Sequence, residues 1–166
     1  MIKKKVCMLG AFAVGKTSLV QQYVHSMFSD KYHTTVGVKV DKKSVAVKGV
    51  SVDLILWDIY GEDDFQEVRA SYLRGAAGCL MVVDGTRRYT LDTAHTLVER
   101  TRQTTGDIPI VFVFNKTDLM DQWEIGTDHV KDTEQKGFVA IQTSAKDGIG
   151  VEAAFAALAE MMLEAP

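Results

Sequence analysis

Apolar residues in this chain occur in two alternating patterns, short continuous runs and longer stretches in which they recur every three or four positions. Val6-Cys7-Met8-Leu9, ending at Gly10, reads as a buried strand. Lys16 to His25 then takes helical spacing, with Leu19, Val20 and Tyr23 on one side. Val36 to Lys48 and Val50 to Trp57 are rich in β-branched residues, and Lys48-Gly49 between them has the character of a hairpin turn. A polar loop after Asp58 precedes a helical stretch from Phe65 to Arg74. Cys79 to Val83 is a further buried strand, followed by Asp84-Gly85. A polar helix from Leu91 to Thr104 leads to the apolar run Ile108 to Phe114. Trp123 to Lys136 reads as loop and then helix, Phe138 to Ile141 as a short strand, and the Ala-rich segment Val151 to Leu163 as a closing helix.

Continuous apolar strands alternating with helices predict an α/β fold, a mainly parallel sheet of six strands with five helices on both faces. The early hairpin adds one antiparallel strand at an edge. No repeat, low-complexity linker or composition shift divides the chain, so residues 1–166 are expected to form a single domain. In such folds ligands sit outside the carboxyl ends of the strands. Every motif described below falls at one of those ends.

Composition narrows the class. Apolar residues at 46% and charged residues at 25% are an ordinary soluble mix. A net charge of -3 argues against a general nucleic-acid binder, which needs a basic surface. Lys3-Lys4-Lys5 reads as the solvated start of a strand. Cys7 and Cys79 both lie in apolar runs, which suggests buried free thiols in a reducing cytoplasm. A disulfide would require their strands to be neighbours. No apolar run is long enough to span a membrane, and Met1-Ile2-Lys3-Lys4 lacks the apolar segment of a signal peptide. Leu163-Glu164-Ala165-Pro166 offers no prenylation cysteine, so no membrane anchor is expected from this chain.

Gly10-Ala11-Phe12-Ala13-Val14-Gly15-Lys16-Thr17 matches G-x-x-x-x-G-K-[ST] in full, after a predicted strand and opening a predicted helix. Backbone N–H groups of such a loop point inward as a nest for phosphate oxygens, and the helix N-terminus adds its positive end. Ala13, Val14, Gly15, Lys16, Thr17 and Ser18 are therefore candidate phosphate-binding residues. Lys16 supplies a cation for the β- and γ-phosphates, and the Thr17 hydroxyl is a candidate Mg2+ ligand. The motif alone does not name the base, since adenine and guanine enzymes share it.

Asn115-Lys116-Thr117-Asp118 follows the strand ending at Phe114. A carboxylate at Asp118 can accept hydrogen bonds from guanine N1–H and the exocyclic N2 amine. Adenine has no N2 amine and its N1 is an acceptor, so it would leave that carboxylate unpaired, at a cost of about 1–3 kcal/mol or more. In isolation N-K-x-D is an ordinary polar turn. Here it lies downstream of a phosphate loop and is joined by Thr143-Ser144-Ala145-Lys146 after the last predicted strand. A backbone N–H near Ala145 is a candidate donor to guanine O6, and the Lys116 stem a candidate to pack on the ring.

With these motifs in order along essentially the whole length, the chain resembles the Ras superfamily of small GTPases, with a Rab-like flavour. The resemblance rests on the phosphate loop, Phe28, Tyr32, Thr35-Val36-Gly37-Val38, Trp57-Asp58-x-x-Gly61, Ser71-Tyr72-Leu73-Arg74-Gly75-Ala76, Asn115-Lys116-x-Asp118 and Ser144-Ala145-Lys146. It implies a P-loop NTPase G domain that binds GTP or GDP with Mg2+. It also implies that Phe28 packs against guanine, that Thr35 joins Thr17 and Asp58 around Mg2+, and that the Gly61 N–H meets the γ-phosphate. Loops 30–38 and 59–72 would then respond to that phosphate and carry effector and regulatory proteins.

The sequence departs from the family pattern where Trp-Asp-Thr-Ala-Gly-Gln becomes Trp57-Asp58-Ile59-Tyr60-Gly61-Glu62. A carboxylate beside an anionic phosphate is repelled and lacks the amide donor that orients water. In phosphoryl transfer, where catalysis is mostly positioning and charge stabilisation, both losses count. Lys16, Thr35, Gly61 and Glu62 are thus the candidate catalytic residues of a GTP/GDP switch expected to hydrolyse slowly. The alternative is a hydrolysis-deficient binding module regulated by exchange. Phe12, where relatives have a small or polar residue, is either a bulky obstacle to an arginine finger or a core-facing side chain. His25, His33, His95 and His129 have no zinc spacing. A metabolic kinase or ATPase would have no need of Asn115 to Asp118.

Overall fold

The computed structural model describes residues 2–29, 37–59 and 70–165. Chain order is β1 (Ile2–Gly10), α1 (Lys16–His25), β2 (Val38–Val47), β3 (Val50–Ile59), α2 (Ala70–Leu73), β4 (Gly78–Asp84), α3 (Tyr89–Thr105), β5 (Ile110–Asn115), α4 (Thr127–Gln135), β6 (Val139–Thr143) and α5 (Val151–Glu164), with a 3-10 helix at Thr117–Gln122 before α4. The sheet runs β2-β3-β1-β4-β5-β6. All pairings are parallel except β2 with β3, so the one antiparallel strand lies at an edge, as the hairpin pattern predicts.

Side-chain alternation along the strands divides the core into two layers. Val6, Met8, Leu54, Leu56, Leu80, Val82, Val111 and Val113 pack on one face against α1 and α5. Tyr23 of α1 stacks on Phe155 of α5 at 3.9 Å in that layer. Cys7, Leu9, Cys79, Met81, Val83, Phe112 and Phe114 pack on the other face against α3. Central strands are buried on both faces, which is why they read as unbroken apolar runs.

Two segments differ from the expectation, and a third is only partly described. Strand β1 begins at Ile2, because β3 offers parallel partners to Lys3, Lys4 and Lys5. Lys5 is not merely solvated, since its Nζ donates to the Arg74 carbonyl at 2.7 Å and lies 3.6 Å over the Trp57 ring. Of the segment expected as a helix from Phe65 to Arg74, Ala70–Leu73 is helical, and positions 65–69 lie outside the described residues. The polar stretch before α4 holds a 3-10 turn that has no apolar periodicity to announce it. The two cysteines sit directly opposite each other on β1 and β4 as free, buried thiols. Among the described residues no helix is long and apolar enough to cross a membrane.

Candidate functional site

The parallel strands deliver their carboxyl ends to one edge of the sheet, and the described residues of the phosphate and base motifs meet there. Gly10 closes β1 and the loop curls through Ala13 and Gly15, with φ of 61° and 104°, before α1 begins at Lys16. Gly15 caps that helix without a side-chain hydrogen bond to its first turn, the arrangement by which a helix N-terminus can offer its N–H groups to an anion. Lys16 is buried and its ammonium donates to the carbonyls of Gly10 at 3.3 Å and Ala11 at 3.4 Å. Burial lowers its pKa to about 8; Asp58 opposes that shift and Arg87 adds to it. Val14 is buried, whereas Ala13, Thr17 and Ser18 are half-buried along the same rim.

The Thr17 hydroxyl donates to Asp58 Oδ2 at 2.6 Å, joining residues 41 positions apart. Asp58, near the end of β3, is 1% exposed. A hydroxyl and a carboxylate side by side are hard oxygen donors, so the pair fits Mg2+, which draws its remaining oxygens from water and phosphate. When bound, that ion neutralises phosphate charge. Thr35, Gly61 and Glu62 lie outside the described residues.

The base motif is wired directly to the phosphate loop. Asn115 Nδ2 donates to the Val14 carbonyl at 3.0 Å, while its Oδ1 accepts from Thr143 Oγ1 at 3.0 Å and from the Ala145 N–H at 3.3 Å. One amide thus ties β5 to the phosphate loop and to the loop after β6. Lys116 is left-handed, with φ of 79°, and its Nζ donates to the Ala13 carbonyl at 3.1 Å and to Asp84 Oδ2 at 2.8 Å. Asp118 is exposed at the rim, where its Oδ1 accepts from Ser144 Oγ at 2.9 Å. Ser144 in turn accepts from the Asp147 N–H, so the carboxylate is aimed by a hydroxyl that is itself held. Ala145 is buried and Lys146 exposed beside it. Phe28, beyond α1, is 39% exposed.

Sequence reasoning missed Asp84, Arg87 and Trp123. Trp123 Nε1 donates to the Lys116 carbonyl at 2.7 Å and supports the left-handed turn there. Its ring packs so closely on Gly85 that a Cβ at that position would overlap it. The available signal was Asp84, a carboxylate ending an otherwise apolar strand. Phe12 is half-buried, and its carbonyl accepts from Arg87 Nη2 at 2.8 Å. Among the described residues no three His, Cys, Asp or Glu side chains gather as a metal cluster.

The family profile described as "Ras family" matches residues 5–164. The chain belongs to the Ras family. Within it the relatives are Rab-like. "Ras-related protein RABA4a" of Arabidopsis thaliana is 35% identical over 153 residues, which cover 91% of this chain and 68% of that protein. "Ras-related protein Rab11D" of Nicotiana tabacum is 34% identical, covering 91% and 69%. "Ras-related protein Rab11A" of Lotus japonicus is 31% identical, covering 91% and 68%. As a Rab-like member of the Ras family, the chain is in general terms a small GTP-binding GTPase switch.

Proposed function

We propose that the chain acts as a single-domain switch that binds GTP and GDP with Mg2+ and hydrolyses GTP slowly without help. The observation that carries this reading is the wiring of Asn115 and Lys116 to the carbonyls of Val14 and Ala13, which sets a guanine-type base motif beside the phosphate loop. In this reading the loop from Ala13 to Ser18 holds the phosphates and Lys16 bridges the β- and γ-oxygens. Thr17, Thr35 and Asp58 hold the Mg2+ shell, and the Gly61 N–H meets the γ-phosphate. Asp118, with Phe28, Lys116, Ser144, Ala145 and Lys146 around it, selects guanine. Effector and regulatory proteins dock on loops 30–38 and 59–72. The free in-register thiols support a reducing, cytoplasmic setting.

The second reading, a binding module that barely hydrolyses, is favoured by Glu62 standing where the family pattern has glutamine. Competition of unlabelled GTP and ATP against fluorescent GDP, with Mg2+ present, tests the shared core of both. GTP displaces the label and ATP does not. Equal displacement by ATP would remove the guanine assignment.

A further inference from the structure

Against the phosphate loop lies a charged knot built around Asp84 and Arg87, two residues that neither the loop motif nor the base motif contains. Asp84, the last residue of β4, is fully buried. Its Oδ1 accepts from the Thr86 N–H at 2.9 Å and from Thr86 Oγ1 at 2.7 Å. Its Oδ2 accepts from Lys116 Nζ and Arg87 Nε, each at 2.8 Å. Burial pushes its pKa up, but the hydrogen bonds from Lys116, Thr86 and Arg87 outweigh that and hold it below the ordinary carboxylate value. One carboxylate thus anchors two cations.

Each cation has a second engagement. Lys116 Nζ donates to the Ala13 carbonyl at 3.1 Å, and Arg87 Nη2 donates to the Phe12 carbonyl at 2.8 Å. These are consecutive carbonyls of the phosphate loop. In a nest the N–H groups turn toward the anion, which sends the carbonyls outward and leaves them needing donors. Ala13 also adopts a left-handed φ of 61°, a conformation that a residue with a Cβ resists. The two cations supply the missing donors at the strained turn. Arg87 has the planar fork this requires, because Nε faces Asp84 while Nη2 faces Phe12 and Nη1 donates to the Tyr89 hydroxyl at 2.8 Å.

We propose that Asp84 and Arg87 are positioning residues of the nucleotide site, clamping the phosphate loop through the carbonyls of Phe12 and Ala13. Arg87 acts on the phosphate loop alone. Asp84 acts on both loops, because Lys116 belongs to the base motif as well. The proposal rests on the nucleotide-binding reading above.

The test measures release of fluorescent GDP and fluorescent IDP, whose base lacks the N2 amine, from the whole chain with Mg2+ present. Arg87→Ala, Arg87→Lys and Asp84→Asn are compared with the parent, and each variant is followed by thermal melting. Arg87→Ala releases both nucleotides about tenfold faster, the size of one lost charge-assisted hydrogen bond, and keeps the parental GDP preference. Arg87→Lys stays close to Arg87→Ala, since one ammonium cannot span Asp84 and Phe12 together. Asp84→Asn releases GDP faster still and also erodes the preference for GDP over IDP.

Parental release rates in Arg87→Ala overturn the proposal. So does acceleration that only follows a fall in melting temperature, which would mark a purely structural residue. If Asp84→Asn does not fold, Arg87→Ala decides, because the Arg87 side chain is 27% exposed whereas that of Asp84 is 1% exposed. Failure of the parent to bind either nucleotide removes the nucleotide reading and this proposal with it, an outcome distinct from parental-like variants.

Discussion

Asn115 lies across Gly15. By donating to the Val14 carbonyl at 3.0 Å, its amide is laid so close over the glycine that a Cβ built there would overlap Asn115 Nδ2. The glycine of the phosphate motif is therefore required twice, once for its φ of 104° and once for the base loop above it. Gly15→Ala is expected to cost about 1–3 kcal/mol of folding stability and to weaken GDP binding at least tenfold. Denaturant unfolding and titration with fluorescent GDP measure the two effects. Parental affinity would mean that the two loops can separate without loss.

Glu62 is expected to set how slowly the switch is turned off. In single-turnover hydrolysis with Mg2+, the parent is expected to fall below the roughly 10⁻⁴ s⁻¹ of unassisted Ras. Glu62→Gln should raise the rate about tenfold by restoring an amide that orients water. A parent as fast as the glutamine variant sinks the slow-hydrolysis reading.

Lys16 makes stability depend on pH when no nucleotide is bound. Its folded pKa of about 8 lies below the ordinary 10.5, so between these values the unfolded chain holds more protons than the folded one. Its destabilising effect is thus complete below pH 8 and relieved as pH rises through 10.5. Lys16→Met is expected to be the more stable protein at neutral pH, by on the order of 3 kcal/mol, and this advantage should vanish by about pH 11. Urea unfolding of both proteins across that range tests it. A gap that does not change with pH would assign the difference to packing.

Phe155 holds α5 to α1 through its stack on Tyr23 and is 1% exposed. Phe155→Ala should lower stability by about 3–5 kcal/mol through lost transfer energy and the cavity it leaves. Because α1 carries the phosphate loop at its start, GDP release from this variant is the companion measurement. Faster release would show that the rear packing reaches the site.

The parts legible in the sequence are those whose physics is local. A strand ending at Gly10, a loop with glycines at two positions and a helix opening on Lys16 are contiguous, so the phosphate loop is written within eight residues. The same holds for Asn115 to Asp118, and for β4 and β5, whose burial on both faces makes them continuous apolar runs. Boundaries were less legible where the neighbouring strand decides. Lys3 to Lys5 are polar yet extended because β3 pairs with them.

Tertiary structure alone decided which distant groups share a proton. Thr17 with Asp58, Ser144 with Asp118, and Asp84 with Lys116 are joined only when parallel strands bring their carboxyl ends to one edge of the sheet. Cys7 and Cys79 likewise became neighbours through strand order, which no local pattern states. By itself the sequence determined the fold class, the phosphate loop and the base motif, because each needs only residues close along the chain. The clamp on the loop needed the fold, because a buried carboxylate acquires partners only from chain segments that packing brings within hydrogen-bond reach.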